Sequence, residues 1–172
     1  MGYTHYWGVR DWNASGWKEA WPKLIHDVPL IIEACGVELS GPTDDAEIVT
    51  PVLADVEKGL DVNGASDDAY EPLIIKPNGD DFFCKTARRP YDAVVTSILL
   101  RAFMLAGPKE FSVSSDGYWD EWNMARSICG RLWPNESIEC PWGEQAGEEA
   151  EWTLEDSESL MEDEVANEQS RL

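Results

Sequence analysis

The chain has 172 residues and a mass of 19.3 kDa, and its 34 acidic and 13 basic residues give a formal net charge of -21. This length predicts a single domain, and a 43% hydrophobic composition with nine tryptophans excludes disorder throughout. Because no apolar run reaches about 18 residues, a membrane-spanning helix is excluded. An isoelectric point near 4.2 argues against direct binding to nucleic acid or to an anionic membrane surface.

The first part of the chain predicts a strand followed by a long helix. Residues 2–7 alternate in character, which is typical of a strand with two different faces. Apolar residues then recur at helical spacing from 17 to 35. Pro22 and Pro29 each remove an amide donor within this stretch, so a kinked helix or two helical pieces are expected.

The middle of the chain predicts short strands, and two further helices follow. The strands are expected at residues 48–52, 59–63, 73–76, 82–85 and 111–114, separated by turn residues. One helix is expected to open at Pro90 and to end before Gly107, and another is expected at 118–132. This order predicts an α+β fold, with a mostly antiparallel sheet of about five or six short strands and about three helices packed on it.

The negative charge is concentrated towards the end of the chain. Residues 133–172 contain 13 acidic residues and one basic residue. This composition predicts an α+β domain at 1–132 and an acidic, flexible tail at 133–172. Trp142 and Trp152 are large apolar residues that a tail fully exposed to water does not need. They could dock on the domain or on a partner, or form a short helix on binding.

Three basic residues lie close together in the domain, at Lys85, Arg88 and Arg89. They fall between a predicted strand end and the first turn of a helix, where free backbone amides and the helix dipole favour an anion. Thr86 could add a hydroxyl donor to a phosphate or carboxylate site. The alternative is that these bases pair with acidic residues of the domain, including Asp92.

Two further polar segments are candidate parts of a site. Tyr3 and His5 lie on a predicted interior strand, so they need hydrogen-bond partners. His5 is either a general base, a ligand-orienting group or a core histidine with satisfied bonds. Asp116 lies in a turn after a strand, where it could cap the next helix, hold a ribose-like diol or receive Arg88.

The cysteines predict neither a metal site nor disulfides. They are widely spaced, with no Cys-x-x-Cys pair, at Cys35, Cys84, Cys129 and Cys140. Such spacing argues against structural zinc and favours reduced thiols in an intracellular compartment. The sequence calls for no cofactor, and no catalytic residue is assigned.

Three segments carry a resemblance to a group of small proteins encoded by bacteriophages, prophages, other mobile elements and some bacteria and archaea. They are Met-Gly-Tyr-Thr-His-Tyr at 1–6, Phe-Cys-Lys-Thr-Ala-Arg at 83–88 with Pro-Tyr-Asp at 90–92, and Val-Ser-Ser-Asp-Gly at 113–117. The resemblance spans residues 1–132 and excludes the tail. It implies a phage accessory protein in the cytoplasm of a host cell, and it implies no defined reaction.

Three functions follow from these features. The first is binding of a phosphorylated or nucleotide-like small molecule, as in antagonism of host defence, and its expected pocket contains Tyr3, His5, Lys85, Thr86, Arg88, Arg89 and Asp116. The second is an acidic inhibitor or nucleic-acid mimic that binds a basic host protein through its surface charge and tail. The third is a phosphoesterase-like enzyme in which His5 is the base and Lys85 or Arg88 stabilises phosphate charge.

Overall fold

Seven strands and three α-helices form the part of the chain that the computed structural model describes, residues 2–143. In chain order they are β1 (Thr4–Val9), α1 (Ser15–Cys35), β2 (Leu39–Ser40), β3 (Leu53–Asp55), β4 (Gly59–Gly64), β5 (Leu73–Ile75), β6 (Phe82–Lys85), α2 (Asp92–Ala106), β7 (Phe111–Ser115) and α3 (Asn123–Leu132). Single 3-10 turns lie at Ser66–Asp68 and Trp119–Trp122. The predicted α+β class is confirmed.

The strands form two antiparallel sheets. The first has the order β6-β1-β7, so the first strand of the chain is its centre, and His5 lies opposite Cys84 on one side and Ser115 on the other. In the second, β2, β3 and β5 all pair with β4. The predicted sheet is therefore divided, because β6 returns to β1 and does not extend the β5 side of the second sheet.

The strand predicted at 48–52 is wrong. Ile48 and Val49 are about half exposed, and pairing with β4 begins only at Leu53. Pro51 explains the difference, since it has no N–H to donate to a ladder. The preceding Thr50 bonds instead to the 40–41 segment, because its N–H donates to Ser40 Oγ and its carbonyl accepts from Gly41 N–H.

Helix α1 is continuous through both prolines, so of the two predicted alternatives the division into two helical pieces does not occur. Pro22 and Pro29 are seven residues apart and therefore lie on one face, which is exposed. The opposite face, which includes Trp17, Leu24 and Val28, is fully buried. Burial of that face holds the helix together where two amide donors are missing.

Helix α2 is the centre of the molecule. Every residue from 94 to 103 is buried, and the helix contacts α1, α3 and β7. Apolar residues lie on every side of this helix, and a helix of that composition is stable only when other elements surround it. Among residues 2–143, no helix has both the length and the hydropathy needed to cross a membrane.

The first part of the predicted tail, residues 133–142, is packed on the helices. The guanidinium of Arg101 in α2 lies 3.7 Å from the centre of the Trp133 ring and 2.8 Å from Glu136 Oε2, and it also binds Asp27 of α1 at 2.7 Å. The ring of Trp142 lies 5.2 Å from that of Trp122. Trp142 therefore docks on the domain, whereas Trp152 and the rest of the predicted tail lie outside the described residues.

Candidate functional site

His5 lies at the centre of a buried hydrogen-bond network. Its side chain is fully buried, with Nδ1 at 2.9 Å from Ser115 Oγ and Nε2 at 2.7 Å from Asp92 Oδ1. The Thr86 hydroxyl donates to the same Asp92 oxygen at 2.5 Å. The network therefore joins β1, β7 and the first residue of α2 through one imidazole ring.

Local sequence explains why these groups meet. The register of the first sheet places His5 directly opposite Ser115. Asp92 begins α2, where the unpaired amides of a helix N-terminus favour a carboxylate. The rings of Tyr3 and Trp122 contact the imidazole edge to face, with centroids at 4.9 and 5.2 Å. Two aromatic rings thus pack against the imidazole.

The connectivity of serine, histidine and aspartate in this network is that of an activated nucleophile. Sequence reasoning did not find it, because the three residues are far apart in the chain. However, Ser115 Oγ already accepts bonds from Gly117 N–H at 3.0 Å and from Trp122 Nε1–H at 3.3 Å. With both lone pairs occupied and His5 inaccessible, the network holds the fold together and offers no free nucleophile.

Arg88 is paired with an acid, as the alternative interpretation of the basic cluster expected. Its guanidinium lies 4.0 Å from the centre of the Tyr3 ring and forms an ion pair with Glu121. This contact raises the pKa of Arg88 and lowers that of Glu121. Burial, together with the charges of Asp92 and Glu121, raises the pKa of Tyr3 to about 12. Arg88 therefore covers Tyr3 and does not stand open for a ligand.

The loop between β6 and α2 is strained. Ala87 and Arg88 have φ values of 50° and 58°, and Arg89 N–H donates to the Thr86 carbonyl, which is the pattern of a type I′ turn. Non-glycine residues in this region lose about 1–2 kcal/mol each. The amides of Thr86 and Ala87 both donate to the Tyr3 carbonyl, so the free amides expected to bind an anion are already used.

Lys85 and Arg89 point away from the His5 network. Lys85 pairs with Thr4, so its side chain lies on the sheet face opposite that of His5. Its Nζ lies 5.7 Å from the centre of the Tyr70 ring, and the Arg89 guanidinium carbon lies 5.7 Å from the same point. We call this group of Tyr70, Lys85 and Arg89 the Tyr70 mouth.

The expected pocket of seven residues does not form. Tyr3, His5 and Thr86 are buried, and the carboxylate of Asp116 accepts a bond from the Thr4 amide at 3.1 Å. Asp116 therefore closes the end of the β1–β7 ladder. The alternation of side chains along a strand separates His5 from Lys85, so a phosphoesterase site built on both is not formed either.

A cavity of about 420 Å³ lies beside Tyr70. Its wall includes Asp61, Asn63, Pro72 and Ile74. Asn63 fixes the mouth, because its Oδ1 accepts from the Tyr70 amide and its Nδ2 donates to the Tyr70 carbonyl, each at 3.0 Å. Burial raises the pKa of Asp61.

Sequence reasoning missed Tyr70, Asp61 and Asn63 as site residues. The Asn63-Gly64 pair indicated only a turn, and Tyr70 follows the exposed Asp67-Asp68 loop. No spacing in the sequence connects these positions with residues 85 and 89.

Residues 2–143 contain neither a metal-binding cluster nor a disulfide. No group of three or more His, Cys, Asp or Glu side chains there is placed to hold a metal ion. The four cysteines, which all lie among these residues, form no disulfide there, and burial raises the pKa of Cys84 and of Cys129, the latter to about 12. These two thiols are therefore protonated at neutral pH and poor nucleophiles.

Comparison with protein-family models, with curated proteins and with solved structures found no match to the chain.

Proposed function

We propose that the protein binds a phosphorylated, nucleotide-like small molecule at the Tyr70 mouth. One observation supports this most directly. Tyr70 belongs to the wall of the 420 Å³ cavity, and the charged groups of Lys85 and Arg89 both flank its ring at 5.7 Å. A cavity of this size suits a small organic ligand, and two cations beside its wall residue Tyr70 suit an anionic group.

The two cations are available for such a group. Among residues 2–143 neither Lys85 nor Arg89 forms an ion pair, and the Arg89 guanidinium donates only to a neutral acceptor, the Asp67 carbonyl. The carboxylate of Glu71 accepts a bond from the Lys85 amide. Lys85 and Arg89 are thus positive groups without a contacting negative partner, in a chain of net charge -21.

The cavity fixes the direction in which a ligand enters. Asp44 and Asp61 in its wall repel a phosphate, so the phosphate stays outside, between Lys85 and Arg89. The neutral part of the molecule then enters the cavity against Tyr70, whose ring is 43% exposed and available for stacking. Asp61 accepts a hydrogen bond from a sugar hydroxyl or an exocyclic amine. In a host cell, such binding would sequester a signalling nucleotide.

Calorimetric titration of the full chain tests this function. The probes are adenosine and guanosine monophosphates and triphosphates and a cyclic dinucleotide, each compared with the matching unphosphorylated nucleoside. We expect a phosphorylated probe to bind, and the double variant K85A/R89A to bind it at least about tenfold more weakly.

Lys109→Ala is the matched control, because Lys109 is an exposed cation in the turn before β7. It should leave the affinity unchanged. Absence of heat with every probe, or equal losses in K85A/R89A and K109A, would overturn the proposal.

A further inference from the structure

The outer edge of β6 lies beyond the Tyr70 mouth and is a separate surface. Within residues 2–143 no strand pairs with β6 on the side away from β1. Thr86 N–H donates to the Tyr3 carbonyl, so these two residues form a hydrogen-bonded pair of the β1–β6 ladder. Bonded and non-bonded pairs alternate along an antiparallel ladder, so the next hydrogen-bonded pair is His5–Cys84 and the pair after Cys84, Tyr6–Phe83, is not bonded. Phe83 therefore directs its N–H and C=O outwards, as does Lys85, whose two groups bind Glu71.

The side chains beside this edge are aromatic and acidic. Phe82, Phe83 and Tyr6 are 59%, 45% and 44% exposed, which is unusual for rings of this size on one sheet edge. The rings of Phe82 and Phe83 stack at 5.1 Å. The carboxylate of Asp81 lies over Gly8, where an added Cβ would come within 2.5 Å of it. Exposed rings next to carboxylates attract cationic side chains.

The other side of the same edge is mainly apolar. A cavity of about 350 Å³ opens there, with Trp7, Ile74 and Phe82 in its wall together with the charged Lys76 and Asp80. The indole Nε1 of Trp7 is buried and has no hydrogen-bond partner in the described chain. The β1–β6 register thus places Tyr6, Phe83 and Asp81, with Lys85, on one face of the sheet, and Trp7, Phe82 and the recess on the other.

We propose that this edge binds an extended, basic segment of another protein, which adds to the sheet as a strand beside β6. Successive side chains of a strand point to opposite faces, so the segment that fits alternates Lys or Arg with apolar residues. The basic residues meet Asp81 and the rings, and the apolar residues meet the recess. Charge favours this occupant over a second copy, which carries -21, and over residues 144–172, which contain a single base.

Peptide binding to the full chain tests the proposal. The probe is a fluorescein-labelled peptide of about ten alternating Lys and Val residues, and its control contains the same residues with the lysines in adjacent pairs. We expect fluorescence anisotropy to show at least about tenfold tighter binding of the alternating peptide, because only that order satisfies both faces. Equal affinities would mean attraction by charge alone and would overturn the proposal.

Two variants locate the binding on β6. Phe83→Pro removes one outward N–H while the bonds to β1 remain, so it should weaken binding about tenfold and leave the fold intact. Asp81→Asn, which does not alter the backbone, should weaken binding and reduce its salt dependence. Met124→Ala, at an exposed position of α3, is the control and should have no effect.

Other occupants of the edge give different results. If the full chain sediments as a dimer that F83P dissociates, a second copy occupies the edge. If hydrogen exchange shows the Phe83 amide protected in the monomer without peptide, the chain covers its own edge. Either result overturns the proposal, as would F83P and D81N binding like wild type. Arg89→Ala should not alter peptide affinity, because Arg89 lies beyond the end of β6, and this separates the surface from the nucleotide site.

Discussion

Polar residues on the two sides of the turn that joins β6 to α2 have opposite surroundings. On the His5 side, the imidazole, hydroxyl and carboxylate groups bond to one another, and burial excludes ligands. On the Tyr70 side, Lys85 and Arg89 stand beside a cavity without contacting carboxylates in the described chain. Polar residues close together in the sequence therefore divide into a set that is bonded within the fold and a set that has no contacting carboxylate among the described residues.

The largest effect is expected from breaking the structural side. His5→Ala leaves Asp92 and Ser115 without their shared partner in a buried site, so we expect the free energy of unfolding to fall by about 2–4 kcal/mol. Urea denaturation measures this. His26→Ala is the control, because the His26 side chain is 81% exposed, and it should change stability by less than about 0.5 kcal/mol. Similar losses in the two variants would contradict a structural role for His5.

A smaller effect is expected at the turn itself. Ala87→Gly relieves a φ of 50°, so it should raise the free energy of unfolding by up to about 1 kcal/mol. Ala69→Gly, at a φ of -67°, should lower it by about 0.5–1 kcal/mol, because there glycine only adds freedom to the unfolded chain. Thermal unfolding of both variants tests this, because strain at Ala87 requires that A87G raise the melting temperature and A69G lower it.

The smallest effect on stability is expected from the ion pair of Arg88 and Glu121 beside Tyr3. Bonds from Arg88 and from the Tyr118 amide lower the pKa of Glu121. A lowered carboxyl pKa stabilises the fold above the pKa of the unfolded chain, about 4.5, and this contribution is lost as the pH falls through the folded value. Glu121→Gln should therefore flatten the decrease in melting temperature on the acid side. If the melting temperature of E121Q falls with decreasing pH as steeply as that of the wild type, the ion pair makes no measurable contribution to stability.

Much of the local structure was predictable from the sequence, whereas the division of the site was not. Alternation and turn residues gave β1, β4, β5, β6 and β7 to within a few residues, because those signals are local. The strand predicted across Pro51 does not form, whereas α1 continues through its two prolines. The effect of a proline depends on the contacts around it, which the sequence does not show. Tyr70 meets Lys85 and Arg89 because the neighbouring Glu71 and Asp67 bond to those two residues, and no spacing within the sequence encodes these contacts.

The central position of β1 has a consequence for synthesis of the chain. This strand is made before both of its neighbours, which lie far downstream, with Ser115 following His5 by 110 residues. Until β6 and β7 are made, a segment with Tyr3, Tyr6 and Trp7 has no strand beside it. Pairing at such long separation is slow, and exposed edges of this kind are prone to aggregate. We therefore expect folding of this protein to await nearly complete synthesis of residues 2–143.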